Sequence, residues 1–127
     1  MKAWKIITQL LALFFLVQGL NWIIDPRGAA ASLGMPLLDG IGRSTQIGDF
    51  AAFFLSVGTM IAMGTYPGQA QWLYGGALLL GLAAIMRTMA ALVHGADFAV
   101  MPITIETLCA VFLCVAVGKL RANAAEA

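Results

Sequence analysis

Four charged side chains lie well inside long apolar runs: Arg43, Asp49, Arg87 and Glu106. An arginine presents a fork of N–H donors to an oxygen-rich group, and a carboxylate accepts hydrogen bonds or a proton. Two arginines and two carboxylates could therefore bind a polar head. Arg43 and Arg87 would hold its oxygens, Asp49 and Glu106 would orient or neutralise the arginines, and Gln46 and Asn21 would add neutral hydrogen bonds. The same groups allow a second chemistry. Carboxylates in unlike surroundings divide acid and base roles, so Asp49 and Glu106 are the catalytic candidates if the chain is an enzyme. The reaction would then be an isomerisation, an epoxide opening or another proton transfer on a lipophilic substrate. A third reading is structural, with charge pairs acting as glue between helices. It would suit a homo-oligomer or an accessory subunit of a larger complex.

The elements that position these residues follow from composition. Of 127 residues, 61% are hydrophobic and 10% charged, against about 45–50% and about 25% in soluble domains. A soluble domain of this size could not bury such a surplus. The composition excludes a disordered chain, a nucleic-acid binder and a disulfide scaffold, and a net charge of +1 draws no strongly acidic partner. A lipid bilayer is the expected surrounding. Apolar stretches run over about 4–24, 41–63, 72–93 and 101–120, each near the ~20 residues that cross a bilayer. Backbone groups in lipid must be satisfied within their segment, so the stretches are helices. The expected fold is all-α, an integral membrane four-helix bundle, antiparallel and up-down-up-down, forming one domain over 1–127. The first apolar run exceeds the 7–15 residues of a signal-peptide core, so it is expected to remain as a span.

Punctuation agrees with this division. Asp25-Pro26 reads as an N-cap with proline at the first helical position. A short helix over 27–33, stopped by Gly34, is expected inside the one long loop, 25–40. Asp39 is placed to cap the second span, Tyr66-Pro67-Gly68 breaks the second from the third, Gly95 ends the third, and Pro102 suits the first turn of the fourth. Two small-residue stripes, Gly48-Ala52-Ser56 and Ala77-Gly81, predict close helix approach. Trp4, Trp22 and Trp72 all lie near helix ends, as in an aromatic belt.

Lys2, Lys5, Lys119 and Arg121 lie at the terminal end, while the opposite loops carry only Arg27. The positive-inside rule puts both termini in the cytoplasm. Counting from the other surface at 1.5 Å per residue, Arg43 lies about 3 Å deep, Asp49 about 12 Å, Arg87 about 9 Å and Glu106 about 8 Å. All four fall in one layer, the outer third of the membrane, and the layer is formally neutral. Gln18, Asn21, Thr45, Gln46, Thr88, His94, Thr104 and Thr107 add to it. A short loop makes the third and fourth spans antiparallel neighbours, so Arg87 and Glu106 are the best ion-pair candidates. Arg43 and Asp49 stand about 120° apart around their helix and do not pair with each other. Asp49 would share Arg87, Arg43 would reach Glu106, or Arg43 would snorkel to headgroups. The chain has one histidine, and Cys109 and Cys114 are too far apart along a helix to bridge. No metal site is therefore expected, and no motif names a cofactor, although a quinone is among the ligands that fit.

Several of these features together resemble the DoxX-like superfamily of small bacterial four-helix membrane proteins. They are Asp25-Pro26 after the first span, the run from Leu33 to Gly40, Arg43 with the small residues from Gly48 to Ala52, Arg87 late in the third span, and Glu106 early in the fourth. The resemblance covers about residues 8–120. It implies the fold and a role for Arg43, Arg87 and Glu106; the expected setting of the chain is a bacterial inner membrane. Named members are linked to quinone-dependent sulfur oxidation. The branch this chain resembles most implies no particular reaction.

Overall fold

The computed structural model describes residues 2–126. They form five helices: α1 (Lys2–Ile24), α2 (Pro26–Ser32), α3 (Gly40–Gly64), α4 (Trp72–His94) and α5 (Val100–Glu126). No strand occurs among the described residues. Four of the helices, α1, α3, α4 and α5, are long and apolar enough to cross a membrane. They carry many exposed large apolar side chains, among them Leu10, Leu13, Leu78, Leu92 and Leu108. Water would oppose that surface and lipid accepts it, so the chain is an integral membrane protein.

The helix boundaries have local causes. Asp25 accepts a hydrogen bond from the Gly28 backbone N–H, and Pro26 follows in the first turn of α2. Gly95 ends α4 in a left-handed conformation (φ 67°), and the next N–H, at Ala96, reaches back to the Ala90 carbonyl. The last helix runs six residues beyond the expected end at Leu120, to Glu126. That stretch holds three alanines, the strongest helix former, and has no glycine or proline to stop it. Asp39 does not cap α3 with its side chain. It pairs with Arg43 instead.

The long helices form an antiparallel ring in the order α1, α3, α4, α5. The α1–α3 and α4–α5 seams are extensive and α1 meets α5 only sparsely. Phe15, Val57, Ile61, Leu73, Leu80 and Leu113 fill the main core. A second core lies beneath α2, where Trp22, Ala29, Ala30 and Ala51 are buried. Trp22 is 1% exposed and stacks on Phe50 at 4.9 Å, so it is a core residue and not part of an aromatic belt. Trp4 also packs inward, stacked on Phe112 at 5.4 Å. Of the three tryptophans, Trp72 alone is exposed.

The glycines that permit close packing are not those in the expected stripes. A Cβ at Gly48 or Gly81 would meet nothing within 4 Å, and Gly48, Ala52 and Ser56 all face outward. Close approach falls at Gly19 against Leu55, Gly58 against Leu16 and Gly64 against Leu73. A Cβ at Gly58 would come within 2.9 Å of the Leu16 backbone nitrogen.

Candidate functional site

The polar residues expected to form a site lie at the end of the bundle that carries α2, in two main groups. The first belongs to the loop between α2 and α3. Gln46 is 5% exposed. Its side-chain oxygen accepts from the Leu38 backbone N–H at 2.9 Å, and its amide nitrogen donates to the Pro36 carbonyl at 3.0 Å and lies 3.8 Å from the Met35 sulfur. Arg43 donates from Nε to the Leu38 carbonyl at 2.8 Å and from Nη2 to Asp39 Oδ1, also at 2.8 Å. These two side chains latch the loop onto α3. A buried glutamine on a loop backbone leaves no polar atom over for anything else.

The second group surrounds a cavity of about 570 Å³, within the range of small-molecule sites. Each of the five helices contributes to its wall. Phe14, Phe15 and Gln18 come from α1, and Asp49, Phe50, Phe53 and Phe54 from α3. Leu80, Ala83 and Arg87 come from α4, and Pro102, Ile105 and Glu106 from α5. Ser32 and Leu33, at the end of α2, close it over. The wall is apolar apart from a few groups. Phe15 stacks on Phe54 at 6.3 Å, and Phe14 meets Phe15 edge-on at 5.2 Å. Such rings give a rigid apolar lining with π faces for a flat or cationic group.

Arg87 joins α4 to α5 through Nε to Glu106 Oε1 at 3.1 Å, with the side chains 31% and 13% exposed. Only one guanidinium nitrogen and one carboxylate oxygen are used. Glu106 Oε2 is buried and has no hydrogen-bond partner. Asp49 lines the same cavity, and among the described residues no group donates to or pairs with it. An orphaned buried oxygen is costly in an apolar setting unless something donates to it, and Asp49, exposed on α3 about 14 Å along the helix from Gly40, is costly where lipid and not water surrounds it.

Of the residues expected from sequence to form the site, Asp49, Arg87 and Glu106 meet at this cavity. Arg43 and Gln46 do not reach it; they are committed to the loop. Arg43 therefore pairs with exposed Asp39 and not with Glu106. Asn21 is exposed and absent from the wall. Thr88 and Thr104 donate to carbonyls of their own helices, at Ala84 and Val100. With Arg43 removed, the layer is no longer neutral. Two carboxylates face one arginine, a formal charge of −1, and acceptors outnumber donors. The phenylalanines carry no charge to single them out in an apolar sequence, although Phe50, Phe53 and Phe54 fall on one helical face beside Asp49. The described residues hold no group of three or more His, Cys, Asp or Glu side chains able to bind a metal ion.

No family model matches the chain, and neither a curated protein nor a solved structure matches it.

Proposed function

We propose that this protein binds a small amphipathic molecule, quinone- or lipid-like, in the cavity formed by Asp49, Arg87, Glu106 and the phenylalanines. The observation that carries the reading is the unspent acceptor capacity there: Asp49 with no partner, and Glu106 Oε2 buried and unbonded. A head bearing hydroxyl or amine hydrogens satisfies both acids, and an oxygen on the same head accepts from the remaining N–H groups of Arg87. The surplus of negative charge disfavours an anionic head. A hydroxylated ring, such as the reduced form of a quinone, meets these demands and fits flat between phenylalanine faces.

The setting we infer is a bacterial inner membrane, with both termini in the cytoplasm and the α2 end outward. The basic residues Lys2, Lys5, Lys119 and Arg121 at the terminal end support this orientation. We also place the chain with the DoxX-like proteins, on the residues given above.

The test is native mass spectrometry of protein extracted gently from membranes. Wild type is expected to carry a small molecule that Glu106→Gln loses while remaining folded. If Glu106→Gln instead fails to insert or falls apart, the ion pair is helix glue. Stable co-purification with another protein, and no bound molecule, would indicate a subunit of a complex. Asp49 free and Glu106 paired is also an arrangement in which acid and base roles differ. Turnover of a lipophilic substrate that requires both residues would convert the binding reading into an enzymatic one.

A further inference from the structure

We infer that the bound molecule has a long hydrocarbon chain, and that this chain leaves the cavity sideways between α1 and α5 to lie in a groove on the lipid-facing surface. The inference rests on the binding reading above and adds the class of ligand: a donor-bearing head on one long chain.

Among the seams between neighbouring helices of the ring, α1–α5 is the thinnest. Along it runs a groove of about 440 Å³ lined by Leu10, Leu11 and Phe14 of α1 and by Leu108, Cys109 and Phe112 of α5. Its walls are apolar side chains and one thiol. Phe14 belongs to both groove and cavity. It is half-exposed and stands between the polar head site and the lipid. The groove has a defined far end, where Phe112 stacks on Trp4 and Lys119 lies over the Trp4 ring at 5.9 Å. From the level of Gln18 to that of Ile7, the last α1 residue in its wall, the path is about 16 Å, a length that calls for a chain and not a methyl group. A groove of similar size along α4 and α5 shares no residue with the cavity. Continuity with the head site therefore singles out the α1–α5 groove. Lipid offers a chain little gain over its own surroundings, so what would hold a ligand chain in this groove is the head anchored beside it.

The experiment compares dodecylresorcinol with methylresorcinol, which share two hydroxyl donors and differ only in chain length. Binding is measured to the intact protein in nanodiscs and corrected for empty nanodiscs. Wild type is expected to bind the long compound at least tenfold tighter than the short one. Leu10→Trp with Leu108→Trp fills the groove from side chains that are 60% and 65% exposed, and is expected to abolish that advantage while leaving methylresorcinol binding unchanged. Leu78→Trp with Val111→Trp, in the α4–α5 groove, should do neither. An independent readout leaves the groove unaltered. In Cys114→Ala protein, dodecylresorcinol but not methylresorcinol should slow labelling of Cys109 by a lipid-soluble maleimide. If both compounds bind wild type equally, or the groove-filling variant retains the chain-length advantage, the chain lies elsewhere and the inference is overturned while the head site stands. If neither compound binds, the head site itself fails and the inference goes with it.

Discussion

Arg43–Asp39 and Arg87–Glu106 are both arginine–carboxylate pairs at nearly the same distance, 2.8 and 3.1 Å, in two regions at one end of the bundle. In the loop latch, Asp39 is 96% exposed, and Arg43 spends a second nitrogen on the Leu38 carbonyl. Gln46 beside it is satisfied entirely by backbone and sulfur. In the cavity, one carboxylate oxygen is buried and unpartnered, and a second acid, Asp49, has no partner at all. Spent polar capacity holds a fold together, and unspent capacity at the wall of an apolar cavity is what a ligand can use. Substitutions in the latch should therefore change stability and leave binding alone. Substitutions in the cavity should do the reverse, except where they break the Arg87–Glu106 pair.

The largest effect on stability is expected from Gln46→Leu. It leaves the Leu38 N–H and the Pro36 carbonyl without partners and should cost about 2–3 kcal/mol. Unfolding in mixed micelles measures the loss, and faster hydrogen exchange over residues 33–39 locates it. Arg87→Leu should cost about 2 kcal/mol by leaving Glu106 unpaired, less than for a fully buried pair because Arg87 keeps partial exposure. Adding Glu106→Leu should restore most of that stability but not ligand retention. If the double variant is no more stable than Arg87→Leu alone, the pair is not the source of the cost. Arg43→Ala is the smallest change. Its pair is exposed, so less than about 1 kcal/mol is expected, with ligand retention equal to wild type. Loss of ligand in Arg43→Ala with the fold intact would erase the distinction between the two regions.

Depth was readable from the sequence and direction around the helix was not. Apolar run length and the breaks at Asp25-Pro26, Tyr66-Pro67-Gly68 and Pro102 place the helices, and a fixed rise per residue then puts Asp49, Arg87 and Glu106 at one level. Which way a residue faces depends on where its neighbours pack. Gly48 and Gly58 lie on the same helix, about 80° apart in direction, yet Gly48 faces open space and Gly58 abuts α1. The same gap misassigned Arg43 and Gln46, whose partners come from an irregular loop that no periodicity describes. Trp22 looked like a belt residue because its depth is right; only the docking of α2 over it makes it core. The cavity depends on five helices meeting, and only its charged members announce themselves in an apolar sequence.

Asp49→Asn separates ligand binding from stability, because Asp49 has no partner among the described residues to lose. The measurement is native mass spectrometry of wild type and Asp49→Asn extracted side by side, with the thermal midpoint of each. Asp49→Asn is expected to keep an unchanged or slightly higher midpoint and to lose the bound molecule. Retention of the same molecule by Asp49→Asn at wild-type occupancy would contradict ligand binding at Asp49.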